Sequence, residues 1–400
     1  MDIPFDGRTD TLIQLDITPR IRHLGIEERV TAAVDASDFD VVVGLSVDMY
    51  QYLSGHWFPY ARNRINRQNI AVWPSSDRGE PFLLVGIDQV PGPYRVSWVR
   101  DIRTYRERGR RPPGPIVERL AEELISSGYG EARIGIERVF MPVSFFDELQ
   151  AAMPKAEFVS CDDFFDRLRA VKTPEELELM AAGAKVMEQG CWNGFAAMKP
   201  GWTEKQAAEA IHQACLDLGA QAVPTVLLGA GDGAKGFLPP TDDTLDEGDY
   251  VRMDINIIYE SYWCDMGRMA VVGEPSEAQA TSYANQRALN DSLVEMMRPG
   301  VLASEVFHHS RKVAAELGIE LLDQAFIGLG HAIGTNNSDF PKLNELDHTP
   351  LEVGMVLNIE PDLYGPDREL VHIEEMVVIG ETESVRITDN LDWHELFVIQ

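Results

Sequence analysis

Two aspartates, Asp254 and Asp265, lie eleven residues apart within Tyr250–Val272. The first arm of this segment alternates apolar and polar residues with the period of a β-strand, and Asp254 falls on the polar side. The return arm follows Glu260–Ser261 and carries Asp265, so a hairpin register would bring Asp265 opposite Asp254. Facing carboxylates repel unless a cation lies between them. Taken alone, such a pair is more often two solvent-facing acids on an ordinary hairpin.

Two further candidates lie at predicted strand ends. His331 lies in the glycine-rich stretch Gly328–Gly334, where small residues let the backbone pack close to whatever the imidazole binds. Glu360 ends the short strand Leu357–Glu360, and Pro361 stops the hydrogen-bonded ladder after it. Each alone is more often structural or solvated than functional.

A last predicted strand, Val371–Ile379, carries two more polar candidates. Its two-residue period puts His372 and Glu374 on one face. The candidate ligand set is Asp254, Asp265, His331, Glu360 and Glu374.

Four carboxylates and one imidazole in one place need compensating charge, which two divalent cations would supply. Oxygen-rich ligation with a single nitrogen suits Mn, Fe, Co or Zn better than copper and does not choose among the four. Two such ions can hold a bridging water, lower its pKa and polarise the bond that it attacks.

The first 165 residues alternate predicted strands and helices, which is typical of an α/β layer. Helices are predicted over Ile21–Ala36 and Ile116–Ser127, and strands over Phe39–Leu45, Asn69–Trp73, Pro81–Ile87 and Ala132–Glu137. The segment Tyr50–Trp57 is both aromatic and polar. It is interpreted either as a packed turn or as a lip that reaches towards a substrate, in which case His56 and Trp57 would contact that substrate.

A second domain is predicted over residues 166–400. Thr173, Pro174 and Glu176 have the arrangement of a capping box with proline in the first helical position, so a helix begins there. Cys161–Val171 is interpreted as the link between the two domains.

The second domain contains an internal duplication. Met198–Gly219 and Met297–Gly318 have equal length and share a frame of Met, a basic residue, Pro-Gly and a closing Leu-Gly. Each follows a long predicted helix, Pro174–Ala197 or Ser276–Met296. We therefore expect an α+β domain of two similar ααβ halves that cover one shared antiparallel sheet, with a cleft between the halves.

Composition limits the partners. The chain has 400 residues with 65 acidic against 35 basic side chains, a net charge of −30. That balance argues against nucleic acid and anionic membrane as partners, which need basic patches.

No signal peptide or membrane-spanning run is expected, and four scattered cysteines without metal or redox spacing fit a reducing cytoplasm. Cys264, beside Asp265, is expected to pack within a strand.

The order and contexts of the five candidate ligands resemble the pita-bread metallopeptidases, which include aminopeptidase P, prolidase and methionine aminopeptidase. The contexts are Met-Asp followed by ten residues and Asp, then GHAIG, NIEPDLY and HIEE, with VKTPEELELM at the start of the second domain. The resemblance covers essentially the whole chain. It implies a creatinase-like N-terminal domain and a catalytic domain built around a curved antiparallel sheet.

The resemblance also implies roles. Asp254 would bind one ion, His331 and Glu360 the other, and Asp265 and Glu374 would bridge the two. Glu360 would carry the proton of the attacking water. A homodimer is implied as well.

Three departures from the peptidase pattern surround these ligands. Phe237 stands where the peptidases carry a histidine, Ser338 and Asp339 replace a His-Glu pair, and His372 replaces an arginine. The lost groups orient the peptide and its carboxylate. The sequence therefore predicts a changed pocket, with His372 contacting the substrate rather than the metal.

The leading hypothesis is a dinuclear metal-dependent hydrolase that cleaves a C–N bond in a small molecule or short peptide. One alternative is a lyase of the dimethylsulfoniopropionate-cleaving branch, although Asn256 stands where that branch has an aspartate. Another is a catalytically inactive pita-bread binding module, which the intact ligand set disfavours. A metal-free hydrolase of the creatinase type is disfavoured for the same reason.

Overall fold

The chain folds into two compact units, Met1–Arg169 and Ala170–Gln400, in a computed structural model. The structure describes residues 2–4, 12–14, 17–58, 68–107, 113–322 and 328–400. The boundary predicted between residues 165 and 166 falls inside a helix, Asp162–Ala170. The predicted link Cys161–Val171 contains the division between the two units, and most of it forms this helix. Acids in the first turn and arginines in the last turn favour this helix through its dipole.

The first unit is an α/β layer. Its elements are β1 Asp2–Pro4, β2 Leu12–Gln14, α1 Ile26–Asp35, β3 Val41–Gly44, α2 Val47–Ser54, β4 Ile70–Pro74, β5 Phe82–Gly86, α3 Pro91–Val96, β6 Asp101–Tyr105, α4 Gly114–Ser126, β7 Arg133–Ile136, α5 Val143–Ala152, β8 Glu157–Ser160 and α6 Asp162–Ala170. Six strands form one mixed sheet in the order β6-β5-β4-β3-β7-β8. Strands β3, β4 and β5 are buried along their whole length, as expected of central strands covered on both faces.

The aromatic segment Tyr50–Trp57 belongs largely to helix α2 and its C-terminal turn. Tyr50 is 1% exposed, and His56 is 9% exposed with its Nδ1 at 3.1 Å from the Tyr50 hydroxyl. The segment is therefore packed into its own unit, which agrees with the packed interpretation rather than with an exposed lip.

The second unit carries the predicted duplication. Its elements are α7 Pro174–Ala197, α8 Glu204–Asp217, β9 Ala222–Ala230, β10 Tyr250–Tyr259, β11 Tyr262–Val272, α9 Glu277–Met296, α10 Ala303–Leu317, β12 Gly330–Ala332, β13 Asp339–Lys342, β14 Val356–Ile359, β15 Leu363–Tyr364, β16 Leu370–Val371, β17 Glu375–Val378, β18 Val385–Arg386 and β19 Phe397–Ile399. The capping box before α7 is present, with reciprocal hydrogen bonds between Thr173 and Glu176 of 2.8 and 3.1 Å.

The two halves contribute separate sheets rather than one shared ladder. One sheet has the order β19-β11-β10-β9 and the other β13-β12-β14-β17-β18. They approach where the Glu374 amide donates to the Gly267 carbonyl at 3.1 Å. This junction brings the ligand-bearing hairpin of the first half against the ligand-bearing strands of the second.

The described residues contain neither a disulfide nor a helix long and apolar enough to cross a bilayer. The four cysteines are free and buried. Cys264 is fully buried, with its sulfur near the Met180 carbonyl, so its predicted packing role is confirmed.

Candidate metal centre

The hairpin of β10 and β11 positions the first two carboxylates. Its turn consists of Glu260 and Ser261, both with positive φ, and pairs Tyr259 with Tyr262. That turn sets Asp254 opposite Gly267 and Asn256 opposite Asp265, so the prediction that Asp265 would face Asp254 directly is wrong. The register differs by two residues, which keeps both aspartates on one face as diagonal neighbours.

The five predicted ligands converge on this face. Asp265, His331 and Glu374 each offer a ligand atom, and these atoms lie within 4.8 Å of one another. Asp254, His372 and Glu374 do the same. Glu360 joins the first group, because its Oε1 lies 3.2 Å from His331 Nε2. The structure thus gathers two overlapping clusters that share Glu374.

His331 is held by its own strand and by the strand beside it. Its Nδ1 lies 3.0 Å from the Ala332 carbonyl oxygen, so Nδ1 carries the hydrogen and Nε2 faces Glu360 with a free lone pair. The neighbouring Gly330 has φ +147°, and a Cβ there would lie 2.0 Å from the Asn358 carbonyl oxygen. Only glycine lets β12 approach β14 this closely, as the glycine-rich sequence predicts.

His372 and Glu374 lie in an interruption between β16 and β17, so the prediction of one continuous strand over Val371–Ile379 is wrong. The Glu374 amide leaves that ladder to donate to Gly267, and the Asn358 side-chain amide donates to Glu374 Oε1. Within this interruption, His372 Nε2 lies 3.5 Å from Glu374 Oε2.

Burial and mutual repulsion raise the pKa of three of these carboxyl groups. For Asp265 the cause is burial followed by the charges of Glu374 and Asp254, and for Glu374 it is burial followed by Glu360 and Asp254. The pKa of Asp254 is raised mainly by burial. A cation beside these groups would oppose both effects and favour their ionised forms.

The donor atoms fit divalent metal ions. Asp265 Oδ1, Glu374 Oε2 and His372 Nε2 are buried and make no hydrogen bond to any residue that the structure describes. Buried acceptors without donors are costly, and a cation coordinated by them removes that cost. Carboxylates with neutral imidazoles are also the ligands that Mn, Fe, Co and Zn accept.

Two residues near the centre were missed by the sequence analysis. Asp362 Oδ1 lies 2.7 Å from His372 Nδ1, and both side chains are fully buried. Burial alone would lower the pKa of His372, but the charges of Asp362 and Asp254 outweigh it and raise that pKa. Asp362 follows Glu360 by two residues without forming part of any periodic pattern, so the sequence carried no signal for it.

Arg252 is the other missed residue, although its place two residues before Asp254 on the same strand was a usable signal. It is fully buried and donates to the Gly236 carbonyl at 2.7 Å. Burial lowers the pKa of its guanidinium, and Asp254 is the first of the carboxylates that oppose this. Its guanidinium carbon lies 4.4 Å from the Phe237 ring centre.

The residues predicted to contact substrate lie in both units and differ in their exposure. Phe237 is 38% exposed and meets the His372 ring edge-on, with ring centres 5.4 Å apart. Ser338 accepts a hydrogen bond from Lys342, and Asp339 is buried at the start of β13, where it pairs with Ala332.

His56 and Trp57 lie in the first unit, where His56 is buried and Trp57 is partly buried. The structure therefore brings Phe237 directly against one of the centre's imidazoles, whereas His56 packs within its own unit.

A buried set of carboxylates and imidazoles in a fold of this kind defines a metal-dependent hydrolase. The chain belongs to metallopeptidase family M24, whose model matches residues 178–381. The Creatinase/Prolidase N-terminal domain model matches residues 27–171.

Individual relatives agree with this assignment. The Xaa-Pro dipeptidase of Pyrococcus horikoshii is 28% identical over 273 residues, which are 67% of this chain and 76% of that protein. The Xaa-Pro dipeptidase of Lactobacillus helveticus is 30% identical over 250 residues, 61% of this chain and 67% of that protein. The crystal structure of dipeptidase PepE from Mycobacterium ulcerans has a TM-score of 0.75 at 26% identity and covers 94% of this chain and 98% of that one.

The predicted family, its two-domain fold and a metal-dependent hydrolase are thereby confirmed. The comparisons support neither the lyase nor the inactive binding module.

Proposed function

We propose that the protein is a dinuclear hydrolase that cleaves the C–N bond of a dipeptide or a similarly small amide. The observation that carries this proposal is the convergence of four carboxylates, three of them buried, and His331 around oxygens that lack hydrogen-bond donors within the described chain. The Xaa-Pro dipeptidases among its relatives favour a substrate of dipeptide size.

The ligands divide between two ions in the way that the family resemblance implies. Asp265 and Glu374 would be shared, Asp254 would hold one ion, and His331 with Glu360 would hold the other. Ions of the Mn, Fe, Co or Zn type would supply an activated water and polarise the amide carbonyl. Asn358 fixes one oxygen of Glu374, which leaves the other oxygen for the centre.

Glu360 is the residue best placed to move protons. It is buried beside His331 Nε2, at a strand end rather than inside a ladder. A carboxylate in that position accepts the proton of the attacking water and delivers it to the leaving nitrogen, which must depart as a neutral amine.

The substrate pocket is defined by Phe237, which is the exposed apolar group in contact with the centre through His372. Its ring presents an apolar wall, and the Arg252 guanidinium supports that wall from behind. We propose that Ser338 and Asp339 line another part of this pocket, since Asp339 pairs with the residue that follows His331.

The test is amine release from a panel of Xaa-Pro dipeptides, other dipeptides and N-acyl amino acids, after metal stripping and reconstitution with Mn, Fe, Co or Zn. We expect hydrolysis of at least one class, lost on chelation and restored by a metal. Full activity in protein free of transition metal would overturn the proposal. So would elimination products from a dimethylsulfonio substrate with no hydrolysis across the panel.

We further propose a homodimer in a reducing, cytoplasmic compartment. The dimer rests on the family resemblance, and the compartment is supported by four cysteines that are free and buried. Sedimentation equilibrium at micromolar concentration is expected to give twice the chain mass of 44.7 kDa, and a single-chain mass would contradict the dimer.

A further inference from the structure

We propose that His372 is a sixth protein ligand of the metal centre and binds, through Nε2, the ion that Asp254 and Glu374 also hold. The inference rests on the proposed dinuclear site and adds to it a second imidazole besides His331. It replaces the expectation from sequence that His372 contacts only the substrate.

The hydrogen bond on the far side of the ring fixes which nitrogen is free to coordinate. Asp362 Oδ1 lies 2.7 Å from His372 Nδ1, and both side chains are fully buried. A carboxylate accepts hydrogen bonds, so Nδ1 carries the hydrogen and the lone pair of the neutral ring lies on Nε2. Histidines that bind metals usually donate their other ring N–H to a carboxylate or carbonyl in this way.

The free nitrogen lies among the metal ligands. His372 Nε2 is 3.5 Å from Glu374 Oε2 and belongs to a cluster with Asp254 whose ligand atoms lie within 4.8 Å of one another. Two ligand atoms that bind the same ion at about 2.1 Å lie at most about 4.2 Å apart. The imidazole nitrogen and the Glu374 oxygen are therefore close enough to bind one ion together. Nε2 is also buried with no hydrogen bond to the described part of the chain.

Close packing holds the ring in that position. A Cβ on Gly267 would lie 2.2 Å from His372 Cδ2 and 2.4 Å from Nε2, so the imidazole rests directly on the backbone of β11. Gly267 pairs with Asp254 and lies on the same strand face as Asp265. The Phe237 ring meets the imidazole edge-on and covers it from outside.

A second imidazole changes the expected metal preference. With His331 in one cluster and His372 in the other, each ion gains one nitrogen ligand besides the carboxylates. Imidazole suits Zn and Fe, whereas carboxylates and water suit Mn. The general affinity order of divalent metals already places Zn above Mn, and we expect the second imidazole to widen that preference for the ion held by Asp254.

Proton NMR of the cobalt-loaded full-length protein tests the assignment without measuring activity. Each coordinated imidazole that keeps an N–H gives one exchangeable, strongly shifted resonance. We expect two, from Nδ1–H of His331 and of His372, which are both hydrogen-bonded. His372→Asn removes one and His331→Asn the other. The matched control, His309→Asn, changes a histidine that instead contacts Ser292 at 2.8 Å, and leaves both.

Cobalt titration calorimetry supplies the second measurement. His372→Asn is expected to lower the affinity of one of the two sites by about 100-fold or more, and Asp362→Asn by about 10- to 100-fold, since loss of a carboxylate behind a ligating histidine has that effect. The Asp362→Asn variant keeps the His372 imidazole, so it tests metal binding by His372 even if His372→Asn folds poorly.

A single shifted N–H in wild-type protein that holds two cobalt ions would overturn the assignment of His372. Wild-type affinity at both sites in a folded His372→Asn variant would do the same. By contrast, a wild-type protein that binds no cobalt tightly would overturn the dinuclear function itself, so the two failures are distinguishable.

Discussion

Asp265 is the residue at which burial and charge conflict most directly. Its pKa is raised by burial and then by Glu374 and Asp254, and one of its oxygens has no hydrogen bond within the described chain. Without cations this carboxylate destabilises the fold, and in the proposed ligand assignment it would join two ions. The same side chain is therefore costly to the metal-free protein and essential to the loaded one.

Asp265→Asn is expected to abolish metal binding and activity together. An outer-shell partner of a metal ligand is worth about 10- to 100-fold in affinity or activity, so removal of a bridging carboxylate should cost more than about 100-fold. The metal-stripped variant should melt higher than stripped wild type, because it lacks a buried carboxyl group that ionises less readily in the fold than in the unfolded chain. Elemental analysis, amine release and thermal melts measure the three effects.

The matched control for this substitution is Asp243→Asn, at an exposed aspartate of the same unit. It should leave metal content, activity and both melting temperatures unchanged. Wild-type metal content in Asp265→Asn would contradict the bridging role.

At the scale of residues, the sequence predicted the ligand types because each stands at a strand end or in a recognisable context. Asp362 was not predictable in the same way. Its importance comes from a hydrogen bond to His372 ten residues away, and a buried polar pair of this kind leaves neither a period nor a spacing. Arg252 shares a strand face with Asp254 but was passed over, because buried arginines are rare.

The element that carries Phe237 is a long connection between β9 and β10, and one buried glutamate holds its start and its middle. Glu204 accepts hydrogen bonds from the Ala230 amide, the Thr241 amide and the Thr241 hydroxyl, each at 2.8 Å. Glu204 is 1% exposed, so bulk water does not reach its carboxylate and cannot take over these hydrogen bonds.

Glu204→Ala is therefore expected to loosen residues 231–241 and to displace Phe237. Each buried donor left unpaired costs about 1–3 kcal/mol, and the KM for the best amide substrate should rise more than kcat falls. Hydrogen exchange of the 231–241 segment and steady-state kinetics test this. Glu209→Ala, at an exposed glutamate of the same helix, is the control. Unchanged exchange in the Glu204 variant would exclude the anchoring role.

Another buried charge holds the junction of the two sheets. Arg268 donates to the carbonyl oxygens of Gly267 and Glu374, both at 2.8 Å, and its Nη2 lies 3.2 Å from Glu375 in a pair with no solvent exposure. It thus fixes the backbone of one predicted ligand and of the glycine beneath His372.

Arg268→Met should destabilise the protein by about 1–3 kcal/mol for each buried acceptor that loses its donor, while Glu375 keeps Arg287 as a buried partner at 3.1 Å. Metal affinity should fall as well, since the carbonyl of Glu374 loses its donor. Urea denaturation and metal titration measure the two effects. Arg386→Met breaks the pair with Asp291, whose side chain is 54% exposed, and should cost at most about 1 kcal/mol. Equal losses of unfolding free energy in both variants would contradict the special role of Arg268.

At the scale of elements, hydrophobic period and capping residues predicted the helices well, and α7 has the predicted bounds. The register of β10 on β11 was off by two residues because period two does not distinguish shifts of two. The break at residues 372–374 was missed because Glu374 gives up its ladder position for a hydrogen bond to Gly267. That contact lies between the two halves, and no local pattern reports it.

At the scale of the whole molecule, the two units have different sensitivities. The second unit holds the centre, so its stability depends on metal through mass action. The first unit has its own core around its six-stranded sheet and contains His56, whose pKa is lowered to about 4 by burial. The first unit should therefore respond to acid through a group that takes no part in the metal centre.

His56 makes the stability of the first unit sensitive to acid, whereas the buried Glu137, whose pKa is raised by burial, acts in the opposite direction. In the unfolded chain its imidazole binds a proton near pH 6.5, but in the folded unit only near pH 4. Between these values the unfolded state binds more protons, so stability is lost as the pH falls from 6.5 towards 4. One pKa unit is worth about 1.4 kcal/mol, which makes the full effect about 3 kcal/mol.

Hydrogen exchange of strand β4 at pH 7 and pH 4.5, in the presence and absence of chelator, measures this effect in the intact chain. We expect the opening free energy of β4 to be lower at pH 4.5 than at pH 7 in wild type, and the difference to be smaller in His56→Gln. Chelation should affect mainly β10 and β11. His23→Gln, at an exposed imidazole of the same unit, is the control and should keep the wild-type slope. An NMR titration that places His56 near pH 6.5 would contradict the prediction, because an imidazole that takes up its proton at that pH in the folded state is not desolvated.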